Sequence, residues 1–142
     1  MAVIIDIADA VVTAINAATL SQPVQAERLY LPEFELKDMG TLHISVVPAE
    51  LEEEIADRQR DSGDYTIHVA VQQRVGKFDS ATLDGLMALV EEIGDLFRHQ
   101  QLPGYPQAQW LKTENRPIYD PKHLKEHGQF TSLLVLTFQV VR

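Results

Sequence analysis

Two histidines, His123 and His127, stand four residues apart, a spacing that places two imidazoles on one face of a helix. Metal sites use this geometry, but a zinc hydrolase needs a glutamate directly after the first histidine and a third ligand. Here Leu124 follows His123, and Lys125 lies between the histidines and would repel a cation. We therefore interpret both as exposed histidines on a polar turn and predict no metal ligands.

A run of three glutamates, Glu52, Glu53 and Glu54, is the second candidate for chemistry. General acid–base catalysis or metal binding needs carboxylates that converge on one point. Consecutive residues do not converge in either a helix or a strand. The run therefore favours a solvated charged face, with contact to a basic patch on a partner as the alternative.

His43 and His68 both fall on the polar faces of predicted strands, and they become neighbours if those strands pair. The sequence places no carboxylates beside them. It also contains no phosphate-binding glycine loop, no nucleophile elbow and no basic stripe for nucleic acid. We predict no catalytic residues, no cofactor and no enzymatic activity.

The chain has 142 residues, which predicts one domain over residues 1–142. Its net charge is −9, so its average surface repels a phosphate backbone and suits a basic partner or plain solubility. It has no cysteine, which agrees with a reducing cytoplasm. Asp6 and Asp9 interrupt the apolar start and no basic region precedes it, which argues against a signal peptide, and no apolar run is long enough to predict a membrane span.

Two segments, residues 4–19 and 80–100, have helical periodicity with one apolar stripe each, so we expect both to pack on a sheet. The second stripe contains Leu83, Leu86, Met87, Val90, Ile93 and Phe97. The predicted strands are residues 26–36, 42–48, 65–75, 108–119 and 130–141, with a short helical turn at 121–127. The last strand is apolar on both faces, which predicts a central strand covered by layers on both sides or by a partner on one.

Local signals set the expected limits of these elements. Pro48 ends the second strand, and Asp79 or Ser80 caps the second helix, which Pro103 to Pro106 terminates. Gly85 and Gly94 each weaken that helix by roughly 1 kcal/mol relative to alanine. We therefore expect them to mark a close approach of another element.

Residues 49–61 suit two structures equally well. Acidic residues come first and Arg58 and Arg60 last, which together with high helix propensity favours a helix. Such a helix has only Leu51 and Ile55 to bury, however, and the segment leads into a plausible hairpin turn at residues 61–64. A long charged hairpin is the other interpretation, and the residues alone leave both open.

The order of the elements resembles that of the small tail-completion proteins of tailed phages and prophages, and within these the tail terminators. The resemblance covers most of the chain but contains no invariant motif. The segments that carry it are Ala8–Asn16, Ala26–Pro32, Leu36–Leu42, Val46–Pro48, Asp64–Gln72, Leu83–Ile93 and Phe130–Val141.

This resemblance implies an α+β fold, with one mixed, mainly antiparallel sheet, two main helices on one face, and residues 49–64 as an extended hairpin arm. It also implies a virion protein that closes into a ring, expected to be a hexamer, which caps the tail tube and docks it to the neck. The expected partners are further copies of the chain and the tube and neck proteins. We expect DNA to pass without specific binding, no membrane contact, and assembly in the host cytoplasm.

In the hairpin arm, the acidic block Glu52, Glu53 and Glu54 and the basic residues Arg58 and Arg60 are the predicted subunit interface. Blocks of opposite sign can complement each other across a head-to-tail contact. The alternatives are another neck component, such as a stopper or adaptor, or a small acidic monomer that occupies a basic site, like an immunity protein. A hydrolase using the histidines is the remaining hypothesis.

Overall fold

The computed structural model describes residues 2–30, 42–74, 80–116 and 118–142, without the side chains of Arg74, His123 and His127. In chain order the elements are α1 (Val3–Ala17), β1 (Ala26–Arg28), β2 (His43–Ile55), β3 (Asp61–Arg74), α2 (Ser80–Asp95), β4 (Gln101–Leu102), β5 (Tyr105–Asn115), α3 (Pro121–His127) and β6 (Gln129–Val141).

The strands form one six-stranded sheet in the order β1-β2-β3-β6-β5-β4. β1 runs parallel to β2, and every other neighbouring pair is antiparallel. The mixed, mainly antiparallel α+β fold expected from the sequence is therefore confirmed. So is the central position of β6, which pairs with β3 on one side and β5 on the other.

One face of the sheet, the helix-side face, forms the core. The alternating residues Tyr65, Ile67, Val69 and Val71 of β3 point to it and are all buried. Their partners on β6 include Leu134 and Leu136, and both predicted helices pack in the same cluster. The α1 residues in it are Ile7, Ala8, Ala10, Val11 and Ile15, and those from α2 are Leu86, Leu89, Val90 and Ile93.

The apolar stripe of α2 is buried along most of its length. Val90 and Phe97 are almost wholly inaccessible, as predicted, and the Phe97 ring meets Phe138 of β6 edge-on, with the ring centroids 6.1 Å apart. Leu83 and Met87 lie at the margin of the stripe and are half-buried.

Polar contacts attach α1 to β1. The Asn16 side chain bonds the backbone of Ala26 twice, accepting from its N–H at 2.7 Å and donating to its carbonyl at 3.2 Å. Arg28 forms an ion pair with Asp9, with 2.6 Å between Nε and Oδ1. These contacts fix the short parallel strand on the edge of the sheet.

Several predicted limits are wrong. β2 does not end at Pro48 but continues to Ile55, with a bulge between Pro48 and Glu50. Proline is tolerated there because the ladder with β1 has already ended at Val46. The second helix stops at Asp95, where tight i→i+3 hydrogen bonds replace the helical ones before the prolines are reached.

Both limits of β5 differ too: it spans Tyr105–Asn115 and so begins and ends earlier than the predicted 108–119. The expectation that Gly85 and Gly94 mark a close approach of another element is wrong. An added Cβ on Gly85 or Gly94 would have its nearest neighbour at 3.7 Å, an ordinary contact. The close approach is at Gly104, where a Cβ would lie 3.1 Å from that of Ala10 in α1.

The predicted strand 26–36 is also too long, because β1 ends at Arg28 and the described residues 29 and 30 are not part of it. The rest of that predicted strand and the Asp79 cap lie outside the described residues. The predicted short helix at 121–127 is confirmed, and Gly128 ends it with φ 59°. None of the helices in the described parts of the chain is long and apolar enough to cross a membrane.

Candidate subunit interface

Residues 49–64, the hairpin arm, consist of the end of β2, a turn and the start of β3. The register pairs Leu51 with Tyr65 and Ile55 with Asp61, so the segment is extended. The strand interpretation is correct, and the helix interpretation is wrong. The turn lies at residues 56–60 and not at 61–64, which already belong to β3.

The turn is shaped by Asp57. Its carboxylate accepts hydrogen bonds from the backbone N–H groups of Gln59 and Arg60, each at 2.9 Å, and from Arg60 Nε at 2.8 Å. The bond from the Gln59 N–H, followed by that from the Arg60 side chain, holds the pKa of Asp57 below its ordinary value. Arg60 is thus part of the turn itself.

The predicted interface residues separate into three groups. Glu52 and Glu54 lie opposite Asp64 and Ser62 and point to the outer face, which is the face away from α1 and α2. Glu53 lies opposite Gly63 and points to the helix-side face. The remaining two are at the turn: Arg58 is exposed at the tip, and Arg60 is bonded to Asp57. The acidic block is therefore divided between both faces of β2.

The arm is supported on one side and open on the other. Asp61 and Arg142 exchange backbone hydrogen bonds of 2.6 and 2.9 Å, so β6 supports β3 up to the turn. On its other side β2 pairs with β1 only at residues 44–46. From Ala49 to Ile55, no strand in the described ranges pairs with the far side of β2.

Carboxylates also gather on the outer face, which sequence reasoning did not anticipate. They line a groove of about 250 Å³. Its lining comprises Glu50, Glu52, Asp64, Thr66, His68, Lys112, Glu114, Val135 and Thr137. The expectation of no carboxylate near His68 was wrong, because the pairing of β2 with β3 decides which side chains meet and the sequence does not give that register.

The two strand histidines are not neighbours. His43 lies opposite Gln72 and His68 opposite Val47, so the two histidines are on the same face but four residues apart along the ladder. Among the described residues, no three His, Asp or Glu side chains are placed to hold a metal ion. His123 and His127 lie on α3, but their side chains are outside the description.

On β5, Glu114 lies between two cations. It pairs with Lys112 at 3.1 Å and with Arg116. The hydrogen bond from Lys112, and then the charge of Arg116, hold the pKa of Glu114 below its ordinary value. Two exposed cations thus share one carboxylate, which leaves a net positive charge on residues 112–116, at the end of β5, in an acidic chain.

A second groove, of about 490 Å³, lies between α2 and β5 on the helix-side face. We call it the α2/β5 groove. Met87, Val90, Trp110, Ile118 and Leu134 supply its apolar lining. Trp110 is held there because its Nε1 donates to Thr113 Oγ1 at 2.8 Å and its ring meets His99 edge-on. A lone tryptophan in the sequence predicts no more than packing in the core or at an interface.

No protein-family model matches the chain, and no curated protein matches it in sequence. Solved structures do match. One is a chain of the virion of the native gene transfer agent particle, with 13% identity, a TM-score of 0.53, and coverage of 93% of this chain and 84% of that one. Another is the sheath/tube terminator of an extracellular contractile injection system in the extended state. It has 18% identity and a TM-score of 0.47, and the present chain covers 57% of its length. At these identities the likeness to the virion chain establishes a common fold, and the fold expected from the tail-terminator resemblance is confirmed.

Proposed function

We propose that this chain is a structural subunit of a phage-type tail, a tail terminator that closes into a ring, caps the tail tube and joins it to the neck. The observation that carries the proposal is the common fold with a chain of a gene transfer agent virion over 93% of the present chain. The order of sequence elements, which resembles that of tail terminators, narrows the role within such a particle.

The hairpin arm is the proposed subunit interface, with Glu52, Glu53, Glu54, Arg58 and Arg60 on it. All five are exposed. An open strand edge is normally covered by another element or protected from pairing by charged side chains. A contact between the arm and a different surface of the next copy is head-to-tail. Repeated contacts of this kind close into a ring when the rotation allows, and the resemblance implies six copies.

The net charge of −9 agrees with this role. A ring that DNA crosses must not bind the phosphate backbone, and an acidic lumen repels it. The protein then resides in the virion after assembly in the host cytoplasm, and it needs neither a cofactor nor catalysis.

Electron microscopy of the protein mixed with tail tubes from the same particle tests the proposal. We expect rings at one end of the tube, and native mass spectrometry should give a multiple of the 16.0 kDa chain. A ring that binds only neck components indicates a stopper or adaptor. A protein that stays monomeric with tubes present and leaves their ends bare contradicts the proposal and favours the acidic monomeric binder.

A further inference from the structure

The sheet has a second open edge, on β5. β4 pairs with β5 only at Tyr105 and Gln109. From Leu111 to Glu114, no described strand lies on the far side of β5. The open part of β2, Ala49–Ile55, is at the opposite side of the same sheet. Within the described ranges, each molecule therefore presents two different unpaired edges, one at each side.

The directions of the two edge strands suit each other. β2 is antiparallel to β3, β3 to β6, and β6 to β5, so β5 runs antiparallel to β2. If β2 of one copy is added to β5 of another with the same faces aligned, the new ladder is antiparallel, like most of the sheet. Each contact uses the β2 edge of one copy and the β5 edge of the next, so every copy still has one edge for a further copy. The same contact can therefore repeat, as a ring requires.

In this arrangement Ile55 lies beside the α2/β5 groove. Leu51 and Ile55 point to the helix-side face, where they bury little: Ile55 is 82% exposed. The groove opens on the same face next to β5, and Trp110 of β5 is part of its lining. With Ile55 opposite Trp110, burying the Ile55 side chain in this groove removes apolar surface from water, at about 25 cal/mol per Å². Glu54 then lies beside Lys112, because the register of β5 is irregular between Trp110 and Lys112.

On the outer face the same arrangement brings opposite charges together. Glu50, Glu52 and Glu54 of the arm point to this face, as does Lys112 of β5. Lys112 and Arg116 are 62% and 77% exposed and share Glu114 within their own chain. An acidic strand edge and a net basic one are complementary, whereas two copies of either edge repel each other.

We propose that β2 of one copy adds to β5 of a second copy, with Ile55 in the α2/β5 groove and the outer-face glutamates beside Lys112. The partner is thus another molecule of this chain, and the hairpin arm binds to the open edge of its β5. The inference rests on the proposed ring and specifies its contact.

Disulfide mapping tests the contact, because the chain has no cysteine of its own. Glu54→Cys and Lys112→Cys proteins are mixed and oxidised, and the linked peptides are identified by mass. A bond requires Cα atoms within about 7 Å of each other, so we expect the mixed dimer as the main product. The control pairs Glu54→Cys with Asp84→Cys, an exposed position on α2. A yield no greater than that of the control overturns the proposal.

Charge reversal gives a second readout. Lys112→Glu should lower the assembled fraction in sedimentation, and adding Glu54→Lys in the same chain should restore it. Lys125→Glu, on α3, is the matched control and should assemble like the parent. Failure of the second change to restore assembly also overturns the contact.

The two proposals fail separately. Rings in native mass spectra without the Glu54–Lys112 link mean that the ring exists but uses other surfaces. Absence of both the link and the ring removes the proposed function as well.

Discussion

The Tyr65 ring lies over Gly63, its neighbour two positions earlier on the same face of β3. A Cβ built on Gly63 would lie 2.9 Å from Tyr65 Cε2 and 3.4 Å from Leu51 Cδ1. The aromatic ring thus covers the backbone where the glycine leaves a gap, an arrangement known from glycines in sheets. It closes the core at the base of the hairpin arm, and Tyr65 is buried as a result.

Gly63→Ala should destabilise the protein, because the buried Tyr65 ring has little room to move away. The expected loss in the free energy of unfolding is about 1–3 kcal/mol, the range for overpacking a filled site. Urea unfolding measures it. Gly85→Ala is the control: its new Cβ meets only Gln22 Nε2, at 3.7 Å, and should raise stability by up to about 1 kcal/mol. Equal effects from the two changes would contradict this description of the site.

Val90→Asp should be severely destabilising. Val90 is buried in the cluster shared by α2 and the sheet, and a carboxylate there has no partner to offset its lost hydration. We expect a cost of several kcal/mol, seen as a large drop in the melting temperature. Ala88→Asp, at an exposed position on the same helix, should melt close to the parent. If the Val90 variant also melts close to the parent, Val90 is not buried between α2 and the sheet.

Reversing both Arg58 and Arg60 to Glu should abolish ring formation or tail joining while the monomer stays folded. The structure sharpens this prediction, because Arg60 also bonds Asp57 within the turn. Arg58→Glu alone therefore tests the interface, with circular dichroism to monitor folding and native mass to monitor assembly. Unchanged assembly of the double variant would remove the arm tip from the interface.

Asp57 should titrate below its ordinary pKa of 3.8. A carboxylate whose pKa is lowered by folding stabilises the native state above its unfolded pKa. That contribution disappears as the pH falls through the folded pKa. The amide proton shifts of Gln59 and Arg60 should report the titration in NMR spectra. In Asp57→Asn the acid-induced shift should vanish, and a midpoint at or above 3.8 in the parent would contradict the turn geometry.

The sequence predicted the elements well where one periodicity dominated. The stripes of α1 and α2, the alternation in β3 and the doubly apolar β6 each had a single consistent interpretation, because burial on one or both faces leaves a strong pattern. Residues 49–61 had no such pattern. They are exposed on both faces of β2, so their structure follows from pairing with β3 and not from their own composition.

The candidate site was harder to predict for the same reason. Glu52 meets Asp64, and His68 joins a groove with four carboxylates, only because of the β2–β3, β3–β6 and β6–β5 registers. The β3–β6 register among them pairs residues far apart in the chain, such as Asp64 and Gln139. The α2/β5 groove depends on how α2 crosses the sheet, and the sequence signal at Trp110 was no more than a single aromatic residue.

The central position of β6 also sets the order of events during synthesis. β3 can pair with β2 as soon as the hairpin leaves the ribosome, but its other edge waits for residues 129–141, and β5 depends on the same strand. Contacts so distant in sequence form slowly and leave strand edges exposed in the meantime. A nascent chain therefore holds a half-built arm whose β3 side is uncovered, and pairing with another copy at that stage would be a misassembly. The acidic residues of β2 and β3 repel their counterparts on a second nascent chain, which delays association until β6 is in place.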